Sequence, residues 1–100
     1  MIVYISIGNS DDKLTQQRWA RFLIDVQFAV NEAVADGGEI HGAWFSQPLS
    51  VYQNACFCAD IPDLKVPGLK SLLITLAAEY QQNSIAWASE PNIEFLGGKP

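Results

Sequence analysis

The chain has 100 residues, eleven Asp and Glu against six Lys and Arg, and a formal net charge of −5. An acidic chain whose cations never cluster is repelled by phosphate backbones, so nucleic acid is excluded as a partner. Hydrophobic residues at 49% and charged ones at 17% exclude disorder, and the length suits one domain.

Three Trp, three Tyr and five Phe are many for so small an interior, so some rings are expected at the surface. Asp, Gln, Asn or Glu interrupts every apolar run before it could cross a bilayer. The opening MIVYISIG lacks the basic leader and the length of a signal segment. A cytoplasmic protein without a membrane partner is the expectation.

Residues 2–7 (IVYISI) are β-branched and aromatic, apolar at nearly every position, and read as a central strand. Gly8 and Asn9 end it. Thr15 is placed to cap a helix, with Leu14 and Trp19 at the spacing of a hydrophobic staple. Asp11 and Asp12 precede the positive helix end, where acids are favourable. From 16 to 35 the period is helical, and Trp19, Phe22, Leu23, Val26, Ala29, Val30 and Ala33 form one stripe. Gly37 and Gly38 stop it. The opposite face carries Gln17, Arg21, Asp25, Asn31 and Glu32, but also Ile24 and Phe28, four residues apart.

Residues 39–46 and 51–61 read as two strands joined by QPLS. In the second, Ala55, Phe57, Ala59 and Ile61 face one way; Asn54, Cys56, Cys58 and Asp60 face the other. After the turn-rich PDLKVPG, Pro67 suits the first position of a second helix. Its stripe is Leu69, Leu72, Leu73, Leu76, Ala77 and Tyr80, with Asn83 as its left-handed stop. Residues 84–89 read as a fourth strand that Pro91 ends, and NIEFL as a short strand or apolar tail.

The order β-α-β-β-α-β predicts an α+β, ferredoxin-like split βαβ domain over 1–96, with a flexible C-terminal tail at 97–100. Its four-stranded antiparallel sheet carries both helices on one face, in strand order 4-1-3-2. With Val3, Ile5, Ile7, Ala55 and Phe57 toward the helices, the open side holds Tyr4, Ser6, Asn54, Cys56 and Cys58. The second strand adds either Ile40 and Trp44 or His41 and Phe45, since a one-residue slip exchanges the sets. So apolar a face marks an interaction surface, and a homodimer is expected. The candidate interaction residues are Tyr4 and Trp44 of the sheet together with Ile24 and Phe28 on the far side of the first helix.

No catalytic set stands out, and no cofactor is expected. Cys56 and Cys58, two apart on a strand, have Cα atoms about 6.5–7 Å apart, at or beyond the limit for a disulfide. They read as thiols. His41 across the hairpin from Cys56 would bring a metal site to three ligands, with Asp60 or a partner chain as the fourth that structural zinc needs. The simpler reading is no metal and a surface histidine. The loop Asn9, Ser10, Asp11, Asp12 and Lys13 is a candidate ligand loop, yet GNSDDK lacks the glycines of a phosphate cradle. Asn54, and with it His41, could line a pocket, although pairing with Ser6 satisfies the amide more simply.

The element order resembles that of acylphosphatases, but GNSDDK holds acids and no phosphate-binding Arg, so that activity does not carry over. Element order and open face also resemble the dimeric α+β barrel group, which includes small antibiotic-type monooxygenases. This implies a dimer and supports a rival function: a small-molecule enzyme or binder with a pocket at the sheet face or dimer seam. The segments IGNSDDKLTQ, HGAWFS, QNACFC and SIAWASE resemble small uncharacterised proteins of actinobacteria and their phages. That likeness implies a phage-encoded, host-interacting or defence-countering protein with a host protein as partner. The reading preferred is a small interaction module rather than an enzyme.

Overall fold

Alternation of apolar and polar residues in three segments, and a 3.6-residue period in two others, write the architecture. The computed structural model describes residues 1–9, 14–89 and 96–98. Its elements are β1 (Ile2–Gly8), α1 (Gln16–Val34), β2 (Glu39–Phe45), β3 (Asn54–Asp60), a 3-10 turn (Asp63–Lys65), α2 (Val66–Glu79) and β4 (Ala86–Ser89). The four strands form one antiparallel sheet in the order β2-β3-β1-β4. This is the ferredoxin-like split βαβ arrangement with the expected strand order.

Local chemistry sets most element ends. The Thr15 side chain accepts a hydrogen bond from the Arg18 N–H at 3.2 Å, capping α1. Gly37, at φ +90°, supplies the left-handed residue that turns the chain after α1. Pro67 stands in the first turn of α2, where its missing N–H costs nothing.

The end of α2 differs from expectation. Gln81, at φ 57°, takes the left-handed position assigned to Asn83, and the Gln82 N–H donates back to the Ala77 carbonyl at 2.8 Å. The helix ends earlier because Tyr80 is drawn into the core. The α2 stripe also shifts. Val66, Leu69, Leu73, Leu76 and Ala77 are buried, whereas Leu72 is exposed, since it points about 100° away from Leu73 around the helix.

The core lies between the helices and one face of the sheet. Val3, Ile5, Ile7, Ala55, Phe57 and Ala59 meet Phe22, Val26 and Val30 of α1 and Leu69, Leu73 and Tyr80 from α2 and its end. The rings of Phe22 and Tyr80 stack with centroids 4.8 Å apart. Each large side chain enclosed here contributes roughly 1.5–3 kcal/mol. Overall extents of 47 × 37 × 20 Å leave room in the thin direction for one sheet and one helix layer, each about 10 Å.

The β2–β3 hairpin departs from the sequence reading in two ways. β3 begins at Asn54, not at 51, because the preceding residues turn on themselves. The Ser50 N–H donates to the Gln47 carbonyl, and the Ser50 hydroxyl accepts from the Tyr52 N–H. β2 also carries a bulge between Ile40 and Gly42, so Ile40 pairs with Ala59 while Gly42 pairs with Cys58. The extra residue shifts the alternation. Ile40 and Phe45 then share the helix-side face and Trp44 the open one, so neither of the two expected sets holds. β4 is likewise shorter than read, starting at Ala86 rather than 84. Residues 92–95 of NIEFL lie outside the described residues.

Candidate interaction face

The side chains on the open face of the sheet form two rows that cross all four strands. One runs Trp44, Cys56, Ser6, Ala86; the next runs Gly42, Cys58, Tyr4, Ala88. Neither row contains a charge. Charged residues enter one step further along, where Asp60 pairs with both Ile2 and Glu39. Two rings stand on a floor of small residues. Tyr4 is 46% exposed and Trp44 56%. They sit on strands either side of β3, so Cys56 and Cys58 line a shallow trough between them, with alanine at the β4 end of each row and Gly42 at the β2 end of the second.

The cysteines are free thiols, partly exposed. Cys58 lies beside Tyr4 and pushes its phenol pKa above the usual value, first by a hydrogen bond and then by charge repulsion. The zinc geometry does not form: the hairpin register places Trp44, not His41, opposite Cys56, and no group of three His, Cys, Asp or Glu could hold a metal among the described residues. His41 instead lies 3.9 Å from Glu39 on the edge strand. Asn54 is not paired with Ser6. Its register partner on β1 is Gly8, and its side-chain amide donates to the Tyr52 carbonyl at 2.7 Å. His41 and Asn54 stand at opposite ends of the hairpin, roughly four β3 residues or 13 Å apart.

Ile24 and Phe28 are 60% and 63% exposed, on the outer side of α1. The helix layer therefore separates them from Tyr4 and Trp44, and one flat contact cannot cover both pairs.

Of the candidate ligand loop, Ser10, Asp11, Asp12 and Lys13 lie outside the described residues. Asn9 is buried and spends its polar atoms inside the protein. Its Nδ2 donates to the Leu14 carbonyl and to Gln53 Oε1, each at 3.0 Å, and its Oδ1 accepts from the Leu14 N–H at 3.0 Å. Gln53, also buried, continues the chain: its Nε2 donates to Gln16 Oε1 at 2.7 Å and to the Pro48 carbonyl at 2.9 Å. One network thus joins the end of β1, the hairpin loop and the first turn of α1. Nothing in the local pattern around Gln53 distinguishes it from its exposed loop neighbours.

A second polar cluster, also absent from the sequence reading, sits between the helices. The buried Tyr80 hydroxyl donates to Asp25 at 2.5 Å, and the Arg18 guanidinium lies 4.5 Å over the Tyr80 ring. Burial, and next the bond to Asp25, push the Tyr80 phenol up to about 12 from 10. The folded state thus holds this proton more tightly than the unfolded chain. Its contribution to stability is complete below pH 10 and is lost as pH rises toward 12. Urea midpoints measured at pH 9 and 11.5 should fall steeply for the wild type and less for Tyr80→Phe; equal slopes would remove this coupling.

Fold and surface together define a split βαβ α+β domain whose sheet face away from the helices carries two charge-free rows with Tyr4 and Trp44 exposed. No known family model and no curated protein matches this chain. Among the described residues, no helix is long and apolar enough to cross a membrane.

Proposed function

We propose that this domain is a protein-interaction module that self-associates through the open face of its sheet. The observation that carries the reading is the pair of charge-free rows, with Tyr4 and Trp44 raised above glycine, alanine, serine and cysteine. Rings on one copy can enter the small-residue floor of a two-fold mate, which is how an isologous contact becomes self-complementary. Four strands about 4.8 Å apart, three of them seven residues long and β4 four, give a footprint of roughly 400 Å². That lies at the small end of specific interfaces, so a dimer that dissociates on dilution is expected. A host protein, the partner implied by the likeness to phage proteins, would use the same two rings. The rival small-molecule reading draws less support, because His41 and Asn54 stand at opposite ends of the hairpin.

Sedimentation velocity across a concentration series tests this. The wild type should dimerise at high micromolar concentration. Tyr4→Glu and Trp44→Glu should each leave a folded monomer, while Ile24→Glu with Phe28→Glu should still dimerise. A wild type that stays monomeric, or a dimer lost only on changing the α1 pair, overturns the proposal.

A further inference from the structure

The sheet face is not the only surface feature that the fold leaves unused. α2 ends before the chain reaches β4, and small side chains on its last turns leave a groove between that helix and the edge strand. The groove has a volume of about 490 Å³, within the ~300–1,000 Å³ range of small-molecule sites. Its long walls are apolar, with Leu73, Ile74 and Ala77 from α2 and Ile85 ahead of β4, while residues 82–84 close one side with polar side chains. Ile74 is exposed to solvent although it lines this wall.

One end is different. Trp87 faces the helix side of the sheet, in register with Ile5, away from the open face. Its indole N–H is buried and has no hydrogen-bond partner among the described residues. Native folds rarely leave a buried donor in that state, because nothing repays its lost hydration. Above the same ring lies a cation, with Lys70 Nζ 5.0 Å from the indole centroid. Lys70 is an exposed side chain, able to move aside and admit an acceptor to the ring edge.

We propose that this groove binds a small amphipathic monocarboxylate, its apolar body between α2 and Ile85 and its carboxylate between Lys70 and the Trp87 N–H. The charge pattern selects this class. A single cation and a single unpaired donor match one anionic head with two acceptor oxygens. The net charge of −5 opposes multiply charged anions such as nucleotides. Burial of the apolar body must therefore supply much of the affinity.

Decanoate is a suitable probe, used below its micellar concentration. Trp19, Trp44 and Trp87 give three indole N–H signals in a proton–nitrogen correlation spectrum, with Trp87 assigned through Trp87→Phe. Decanoate should shift the Trp87 signal saturably and leave the buried Trp19 and the sheet-face Trp44 in place. Lys70→Glu should weaken binding roughly tenfold or more, as should replacing decanoate by decanol, since each removes a charge-assisted contact. Ile74→Glu should weaken it similarly, and Lys65→Glu, away from the groove walls, should not. Lys70 and Ile74 are exposed, so an unchanged spectrum of the free variants establishes that they fold. The proposal is overturned by a Trp87 signal that does not move, by a larger shift at Trp44, or by equal affinity for decanol or the Lys70→Glu protein.

Discussion

Asn9→Ala is expected to lower the unfolding free energy by about 2–4 kcal/mol and the melting temperature by roughly 10–25 °C. The side chain makes three buried hydrogen bonds to described residues. Truncation strands the Leu14 N–H, the Leu14 carbonyl and Gln53 Oε1. Each buried polar group left unpaired costs ~1–3 kcal/mol, and water entering the space of the lost amide offsets part of the sum. Asn9→Asp should be at least as damaging, because an oxygen would replace the Nδ2 that faces two acceptors. Urea unfolding followed by Trp fluorescence is the measurement. A midpoint unchanged in Asn9→Ala would show that the residue is held for a ligand rather than for the fold.

Gly38→Ala is expected to cost about 3 kcal/mol or more, far above Gly37→Ala at about 1–2 kcal/mol. The adjacent glycines are needed for different reasons. Gly37 has φ +90° but open space around it, so a methyl group there meets only backbone strain. At Gly38 a Cβ would stand 2.6 Å from the Asp60 carbonyl oxygen, 2.9 Å from Val34 Cα and 2.9 Å from the Pro62 ring. Two of those atoms are backbone and cannot rotate away. Relief would have to separate the end of α1 from the end of β3, which loosens the sheet's attachment to the helix layer. Thermal denaturation of the two single variants side by side checks the ordering. Equal losses would mean that the chain yields at this crossing.

Some features were legible because they depend on near neighbours. Thr15 caps α1 through a bond three residues away, and the alternation in Ala55, Phe57 and Ala59 assigns them to the core without knowledge of what covers them. The open-face position of Tyr4 followed once an element order was in hand, whereas that of Trp44 waited on the register of β2. The bulge at Ile40 and Gly42 had no such signal. Only pairing with β3 determines where β2 takes in an extra residue, and that bulge skips His41, so that Gly42 and not His41 pairs with Cys58. Asn9 was read with the candidate ligand loop, because its buried partner Gln53 is 44 positions away and nothing local shows that the two meet.

By itself, then, the sequence determined the order of elements, the strand order that follows from it, and the faces of β1, β3 and α1, since all of these rest on periodicity and local caps. The tertiary structure decided which polar side chains are consumed internally, as with Asn9, Gln53 and Tyr80. It also separated Ile24 and Phe28 from Tyr4 and Trp44, and opened the groove beneath Trp87. These depend on which distant segments meet, and a hydrophobic pattern records that a side chain is buried without recording against what.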